Sequence, residues 1–595
     1  MKRWGLAALA VLLLATVATP AATATTGHAP AGTVAKVPVE TFTLDNGMTF
    51  LLVEKPELTT VVAGWVAHVG SANEQVGQTG IAHFFEHMMF KGSKTIGTKD
   101  IKRDLEIMAE QERLQDEIRA WYRKQRERWR RGEIDDPYDP ANRPPELVEL
   151  EKKFQKLVEE QRELMVKDEF DKIYTAEGGT RMNAFTNQDM TVYFITVPAN
   201  KIELWFWMES DRLLNNVRRE FYSERDVVHE ERRLRTESTP TGKFDELFNA
   251  MFWQAHPYRN PVVGWPSDLR VLSAAQADAF YRTYYAPNNL TAAIVGNFDK
   301  AEVRKLAERY FGRLERQPPP PDVVTLEMEQ LAEKRMRAEC DCQPQVELRY
   351  HTVPFMHRDS YALDVLASLL NGRTGRLYKA LVLDQKIAAS AGAGQNSQKW
   401  AGAFSLFAES KGDATPADLE AALVRELDRL RTEPIPAEEL QKVKNQIIAD
   451  NYRRLESPFF LMIQLLYYDG LGDWRYLNTN AENLLAVTAD DVKRVVETYF
   501  RPENRAVAHY YRKAGTQAEP VPEELADLPE QAQKQILAQA RQLRAIEDAD
   551  QLRQILAQVQ QQKGAAPPQF AKAIAYLERV ITERLAALEA AEGGE

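Results

Sequence analysis

The spacing of apolar and polar residues changes several times along the chain, and each change predicts a different element. Thr41–Leu44 and the apolar run Met48–Val53 flank an Asn-Gly pair, which is typical of a β-hairpin because Asn-Gly favours a tight turn. Val61–Val69 is predicted to be a mostly buried strand, and Asn183–Val197 returns to strand character. Two helices are predicted after it, at Glu203–Asn215 and Glu224–Glu237.

The segment from about Ile101 to Tyr174 is dense in Glu, Lys, Arg and Gln and differs from its surroundings. Two long stretches of helical spacing flank the turn Asp135–Pro140, so the pattern predicts a helical hairpin inserted into a domain at about 101–174. A solvated, charged hairpin is the favoured interpretation. The alternative is that the hairpin selects substrates or docks a partner, since long insertions are often functional.

An internal repeat indicates two related domains. In one copy a helix that follows Leu272–Ala274 runs into Pro287, and in the other a helix that follows Val487–Ala489 runs into Pro502, 215 positions later. Each proline leads into an apolar strand. The repeat therefore predicts an α+β fold with two homologous α/β domains in tandem, joined near the Pro-rich stretch Pro318–Pro321.

These patterns set the expected domain boundaries. We expect a first domain at 38–315 that carries the hairpin, a linker at 316–335 and a second domain at 336–515. The tail at 516–595 is rich in Gln, Ala, Leu and Glu with helical periodicity, which predicts a helical C-terminal extension.

The N-terminus has the layout of a secretory signal peptide. Lys2 and Arg3 precede the apolar run Trp4–Val17, and Ala22–Ala24 is a plausible cleavage site. A membrane anchor is the alternative, but the run is shorter than the roughly 20 residues that a spanning helix needs. We therefore expect a signal peptide at 1–24, a disordered stretch at 25–37, no later transmembrane segment, and a periplasmic or otherwise exported protein.

Composition narrows the functional classes. A chain of 595 residues exceeds one ordinary core, and a net charge of −11 argues against a general nucleic-acid binder, which needs an excess of Lys and Arg. The two cysteines, Cys340 and Cys342, are one residue apart. A disulfide between them would close a strained ring, and two thiols alone make a weak metal site, so both are interpreted as incidental.

The strongest chemical signal is His83-Phe84-Phe85-Glu86-His87, in a run without Gly or Pro that suits a helix. Residues four apart lie on one helix face, so His83 and His87 can reach one metal ion together, with Glu86 beside them. This is the H-x-x-E-H arrangement. Imidazole and carboxylate ligands suit zinc, and a catalytic zinc site keeps one position open for water. A chance pair of histidines is the alternative.

A third ligand is sought in the helix predicted at Glu224–Glu237. Glu224 and Glu231 are seven positions apart, or two helical turns, and so share a face. Spacing alone favours an ordinary solvated helix there, and more than spacing is needed to assign Glu231.

The sequence around these residues resembles the M16 peptidases, a family that includes insulinase, pitrilysin and the mitochondrial processing peptidase. His83–Ser93 closely resembles the zinc-site helix of that family. The likeness covers roughly 39–512. It also includes four further segments, namely Asn183–Thr186, Asp189–Tyr193, Glu224–Glu231 and, in the second repeat, Gly372–Tyr378.

The resemblance implies a zinc-dependent endopeptidase of the short, two-repeat type, with Zn²⁺ as cofactor and unfolded or extended peptides as substrates. Glu86 would be the general base, and Glu224 would support the site from behind the ligands. An edge strand containing Asn183 and Ala184 would pair with the substrate backbone. The implied zinc ligands are His83, His87 and Glu231.

Two departures from the family pattern bear on this expectation. The gap between His87 and Glu231 is 143 residues, longer than in many relatives, and the charged hairpin accounts for the excess. The second repeat lacks the zinc motif, since its equivalent helix, Tyr361–Asn371, contains no His or Glu. That domain is expected to be catalytically silent.

The resemblance leaves the assembly open. Short members of the family work as homodimers or as pairs with a metal-free partner subunit, and the sequence decides neither. A non-catalytic or partner-dependent subunit of an envelope assembly, and a zinc-stabilised structural protein, are the alternative functions. Three ligands plus a base favour catalysis, because structural zinc sites are usually closed by four protein ligands.

Overall fold

The computed structural model describes residues 36–513, 522–525, 528, 530–546, 548–563 and 571–592. The predicted signal peptide at 1–24 and nearly all of the predicted disordered stretch lie outside the described residues. The chain divides into two compact units, one at 33–514 and another that contains the C-terminal residues from 515 onward.

The first half of the large unit is built on a six-stranded mixed sheet with the strand order β1-β2-β6-β3-β5-β4. The central strand β3 is almost wholly apolar and buried, as its sequence predicts. Within the described ranges, the edge strand β4 pairs with β5 alone, on one side. The strands are β1 (Glu40–Thr43), β2 (Thr49–Glu54), β3 (Thr60–Ala67), β4 (Thr180–Thr186), β5 (Thr191–Pro198) and β6 (Leu290–Gly296).

Helices pack on one face of this sheet around a core rich in aromatic side chains. α6 is continued by a π-helical turn, Arg233–Glu237, of a kind often found at functional sites. The helices are α1 (Ile81–Met88), α2 (Ile101–Arg130), α3 (Pro145–Leu164), α4 (Glu169–Ala176), α5 (Ile202–Leu214), α6 (Phe221–Arg232), α7 (Gly242–Phe252), α8 (Pro266–Leu269), α9 (Ala274–Tyr284) and α10 (Lys300–Tyr310).

The second half is a five-stranded sheet of order β7-β11-β8-β10-β9 with its own helical layer. Two α+β domains in tandem are therefore confirmed. The elements are β7 (Lys334–Cys340), β8 (Gln345–Thr352), α11 (Arg358–Leu370), β9 (Ala388–Ser397), β10 (Gly402–Ser410), α12 (Pro416–Thr432), α13 (Ala437–Glu456), α14 (Pro458–Leu471), α15 (Tyr476–Ala486), α16 (Ala489–Tyr499) and β11 (Arg505–Arg512).

Each half covers the open face of the other half's sheet with one helix. Leu461, Leu465 and Leu466 of α14 pack against the first sheet, and Phe248 and Phe252 of α7 pack against the second. Shifting the bounds of α7 by the 215 residues of the sequence repeat gives 457–467, which falls on α14. The two repeats therefore exchange equivalent helices.

The described residues of the C-terminal unit form a small helical bundle with its own apolar core. Its helices keep Ile536, Leu543 and Val580 buried, as the amphipathic spacing of the tail predicts. The helices are α17 (Glu530–Arg544), α18 (Ala549–Lys563) and α19 (Ala571–Glu592).

The interpretation of the two cysteines as incidental is wrong. Cys340 and Cys342 form a disulfide at the end of β7. The chain turns between them, so that their Cα atoms are 5.3 Å apart, inside the range that disulfides ordinarily span.

A buried arginine fastens the base of the α2–α3 hairpin to the body of the first domain. The Arg219 side chain is 1% exposed and donates from Nε to Asp104 Oδ2 of α2 at 2.8 Å. The remaining guanidinium nitrogens donate to three backbone carbonyls of the loop that follows α1, those of Lys91, Ser93 and Ile96. The base of the hairpin therefore helps to hold the loop after α1 in place.

We expect the substitution Asp104→Ala to lower the free energy of unfolding by about 3–5 kcal/mol, because it leaves the buried Arg219 guanidinium without its counter-charge. Chemical denaturation of the full chain measures the change. Asp116→Ala is the matched control on the same helix, since Asp116 is 71% exposed in its pair with Arg119 and should change stability by less than about 1 kcal/mol. Equal effects of the two substitutions would contradict the role given to Asp104.

Candidate metal centre

The start of α1 is set by a glycine and a carboxylate. Gly80 has φ 87° at the N-cap, and a Cβ there would lie 2.5 Å from the backbone oxygen of Val263, so only glycine fits. The Glu74 carboxylate accepts from the backbone N–H of Gly80 at 2.8 Å and of Ala82 at 2.9 Å. Two of the helix's unpaired N–H groups are thereby satisfied. Burial raises the pKa of Glu74 well above its usual value.

The structure brings the three predicted ligands together where α1 meets α6. Two distances to Glu231 define the cluster: His83 Nε2 to Oε1 is 3.7 Å and His87 Nε2 to Oε2 is 3.2 Å. One ligand atom from each of the three residues lies within 4.8 Å of the others. Two imidazole nitrogens and one carboxylate oxygen fit zinc. His83 Nδ1 is buried without a hydrogen-bond partner among the described residues.

The predicted support by Glu224 corresponds to two short contacts. Glu224 Oε1 is 2.9 Å from Nδ1 of His87, and its Oε2 is 2.5 Å from Nζ of Lys91. Burial raises the pKa of Glu224, but the hydrogen bond to His87 and the charge of Lys91 outweigh it, and the pKa falls. An ionised Glu224 accepts the Nδ1 proton of His87 and leaves Nε2 turned toward Glu231.

The three ligand side chains have divergent pKa values in the metal-free protein. Burial, and then the charge of His87, lower the pKa of His83 to about 4. For His87, burial likewise disfavours the protonated form, but hydrogen bonds to Glu224 and Glu231 outweigh it and raise the pKa of His87 to about 9. Burial would raise the pKa of Glu231, but His87 and His83 lower it to about 2. Near neutral pH, His87 therefore holds a proton that a metal ion must displace.

Glu86 lies on the same turn of α1 as the ligands and faces β4. Thr186 Oγ1, in the last residue of β4, donates to Glu86 Oε2 at 2.6 Å. Burial raises the pKa of Glu86, although the Thr186 hydrogen bond opposes the shift. Glu86 is not among the residues that converge on the metal position, so its carboxylate remains available for proton transfer.

The two residues predicted to bind substrate lie on the edge strand β4 near this centre. Asn183 is exposed and Ala184 is buried. The Ala184 N–H is occupied by the Asn183 side chain, whose Oδ1 accepts from it at 2.8 Å. A peptide that paired with the strand at this point would have to displace that contact.

Sequence reasoning missed three residues that shape the centre: Glu74, Lys91 and Thr186. Lys91 carried a signal, because it lies one helical turn beyond His87. Thr186 is the last residue of a quoted segment, but its partner Glu86 is 100 positions away. Glu74 is an isolated acidic residue in a loop, and no local pattern marks it.

Two family descriptions match the chain. "Insulinase (Peptidase family M16)" matches residues 49–112, which contain α1, and "Peptidase M16 inactive domain" matches residues 272–447. Glu224 and Glu231 lie between the two matched segments.

Similar proteins cover most of the chain. Zinc protease PqqE of Helicobacter pylori is 27% identical over 471 residues, which is 78% of this chain and 90% of that protein. An uncharacterised zinc protease of Bacillus subtilis, YmxG, is 21% identical over 422 residues, or 70% of this chain and 85% of that one. The crystal structure of a protease from Helicobacter pylori superposes with a TM-score of 0.65 at 24% identity, covering 80% of this chain and all of that one.

A longer structure shows the same fold. The periplasmic protease PqqL from Escherichia coli matches with a TM-score of 0.59 at 17% identity, over 82% of this chain and 50% of that chain. The tandem α+β domains and the paired helices of the candidate centre define the architecture of a two-domain M16-type protein. The two family descriptions, the zinc protease relatives and the structural neighbours together support an M16 family peptidase.

We expect Glu224→Gln to weaken zinc binding by about 10–100-fold, because the substitution removes the charge that orients and polarises His87. Competition with a chromogenic chelator measures the affinity. Glu230→Gln is the matched control on the same helix, since Glu230 is 64% exposed and contacts only Arg233 among the described residues. An affinity that is equally reduced, or equally unchanged, in both variants would contradict the role of Glu224.

We also expect zinc binding at about pH 7.5 to release about one proton. His87, with a pKa of about 9, is protonated in the metal-free protein, whereas His83 is already neutral and Glu231 already ionised. Calorimetry in buffers of different ionisation enthalpy counts the proton. Affinity should rise with pH up to about 9, and binding without proton release at pH 7.5 would be inconsistent with a charged His87.

Proposed function

We propose that the protein is an exported zinc-dependent endopeptidase that hydrolyses peptide bonds in unfolded or extended chains. One observation carries the proposal: His83, His87 and Glu231 converge within reach of one ion, while Glu86 lies beside them without joining the ligand set. Three protein ligands and a free carboxylate are the composition of a catalytic rather than a structural zinc site.

The protein's own residues would divide the work as follows. Zinc, when bound, would supply Lewis acidity that makes a water molecule acidic near neutral pH. Glu86 accepts a proton from the water whose oxygen attacks the scissile carbonyl carbon. Glu86 then gives that proton to the amide nitrogen as the C–N bond breaks. Burial raises the pKa of Glu86, which makes its carboxylate a stronger base toward the water proton.

Edge strand β4 supports the proposed substrate class. Its outer side is not paired with another strand of the described chain, and its last residue, Thr186, contacts Glu86 directly. A peptide added to this edge would lie beside the base through backbone hydrogen bonds, which recognise extended chains more than particular side chains. Asn183 and Ala184 would lie within that added pairing.

The second domain would enclose the substrate without performing chemistry. Its helix α11 contains no His or Glu, and its acidic residues are Asp359 and Asp364. Asp359 is committed to Arg494 and Tyr499. A partner subunit, either a second copy of this chain or a metal-free relative, would complete the substrate chamber.

Two features support export. The N-terminal sequence has the signal-peptide layout, although it lies outside the described residues, and the Cys340–Cys342 disulfide suits an oxidising compartment. None of the helices in the described ranges is long and apolar enough to cross a membrane.

The test is cleavage of an unstructured peptide by the purified, zinc-loaded protein beside its Glu86→Gln variant. We expect the variant to keep its zinc and to lose about 10²–10⁴-fold in rate, because it lacks the proton acceptor. Glu230→Gln should cleave like the wild type. Equal rates for wild type and Glu86→Gln would contradict the mechanism. No cleavage by either protein, with zinc bound, would favour the alternative of a partner-dependent subunit.

A further inference from the structure

A cavity of about 310 Å³ opens beside the candidate metal centre. Its walls are the π-helical turn after α6, the first turns of α7, and the loop that carries Arg259 and Pro261. The cavity meets the metal centre at Arg235, whose Nη1 is 2.6 Å from Oε1 of the candidate ligand Glu231. A peptide lying across the metal centre would therefore have a side chain or an end close to this cavity.

The acidic residues of the cavity wall are already hydrogen-bonded within the protein, and Glu246 is also paired with an arginine. Glu246 accepts from Nη1 and Nη2 of Arg232, at 2.8 and 2.6 Å. Asp245 accepts from the Tyr510 hydroxyl at 2.6 Å and from the Thr241 hydroxyl at 2.7 Å. These carboxylates are committed to the protein, and neither needs a cation from the substrate.

The two arginines that line the cavity are far less committed. Arg259 is exposed, and its guanidinium makes one hydrogen bond among the described residues, from Nη1 to the backbone oxygen of Gln254 at 3.0 Å. The Arg235 side chain is 73% exposed, and within the described ranges its guanidinium contacts Glu231 alone. Each guanidinium therefore has N–H donors left for a ligand.

Metal binding would free Arg235 further. A cation held by Glu231 competes for the carboxylate that Arg235 now contacts, and like charges disfavour the contact. The guanidinium is then available to the cavity. The wall would then present two guanidinium groups with spare N–H donors and the carboxylate of Asp245, which already accepts from two hydroxyls.

We propose that this cavity is a substrate subsite that binds a carboxylate of the peptide, through Arg235 and Arg259. Arginine is suited to the task because its planar N–H groups match a carboxylate in bidentate fashion. The carboxylate comes either from an Asp or Glu side chain near the scissile bond or from the C-terminus of the peptide. The inference rests on the proposed peptidase function and gives its substrate preference.

The test measures binding rather than turnover, with the zinc-loaded Glu86→Gln protein. Fluorescent peptides of one neutral sequence carry either Asp or Asn at successive positions, and each is made with a free or an amidated C-terminus. At low salt, we expect one acidic form to bind at least about tenfold more tightly than its neutral counterpart, because a charge-assisted hydrogen bond contributes that much. A preference that follows the Asp position identifies a side-chain carboxylate, and one that follows the free C-terminus identifies the terminal carboxylate.

Added substitutions locate the site. Arg259→Gln should abolish most of the preference while leaving the affinity for the neutral peptide unchanged, which also verifies that this variant is folded. Arg235→Gln should abolish most of the preference as well, and its zinc content is measured beside its binding because Arg235 contacts Glu231. Arg233→Gln is the matched control, because Arg233 lies on the same turn, pairs with Glu230 and does not line the cavity. It should keep the full preference.

The outcomes distinguish a failure of the proposed subsite from a failure of the proposed peptidase function. A wild-type protein that cleaves the neutral peptide but shows no preference for an acidic form would overturn the subsite and leave the peptidase intact. A preference that survives in both Arg259→Gln and Arg235→Gln would do the same. Failure of the zinc-loaded wild type to cleave any peptide of the series would instead count against the proposed function.

Discussion

The buried guanidinium of Arg219 is the interaction on which the first domain depends. A charge that is 1% exposed is tolerated only when it is fully hydrogen-bonded and paired, and Arg219 meets that requirement with one carboxylate and three backbone carbonyls. The carbonyls belong to the loop that follows the helix carrying His83 and His87, and Arg219 lies just before the helix that carries Glu231. One side chain thus fixes the two helices that must meet and the base of the inserted hairpin.

The requirement is visible in the glycines of the same loop. Gly92 and Gly97 both have positive φ, and a Cβ on either would lie within 2.8 Å of Arg219 Nη1. The loop can wrap around the guanidinium only because these positions lack side chains. Packing, backbone conformation and charge pairing therefore act on one point.

The candidate centre continues this arrangement of alternating charges toward solvent. Lys91 neutralises Glu224, Glu224 holds His87, and His87 faces Glu231, which in turn contacts Arg235 at the mouth of the cavity. Each group is partnered by one of opposite sign, so burial is compensated along the row. The exposed end is the one left with spare hydrogen-bonding capacity.

Periodicity and local motifs were sufficient for much of this structure. The hairpin around Asn46, the helical periodicity of the tail and the four-residue spacing of His83 and His87 are local properties of the sequence, so local patterns predict them. The 215-residue repeat revealed two domains because each proline ends a helix in the same way. Glu231 was proposed as a ligand because the family resemblance added to its spacing, which alone was insufficient, and the structure places it beside His83 and His87.

Contacts between distant segments were not predictable. Thr186 meets Glu86 across 100 positions, and Arg219 meets Asp104 across 115, and no single-sequence pattern encodes which loop turns back. The prediction that Cys340 and Cys342 are incidental was wrong for a related reason. The one-residue gap suggested strain, whereas the disulfide depends on how the backbone turns at Asp341.

The exchange of α7 and α14 has a consequence for how the two halves persist together. In a two-fold symmetric dimer, each subunit can contribute the same helix to the other. Here the two halves of a single polypeptide do this with α7 and α14. Neither sheet has its apolar face shielded unless the other half is present. The second half is therefore needed to cover the first sheet even though its helix α11 lacks the His and Glu residues of the candidate centre.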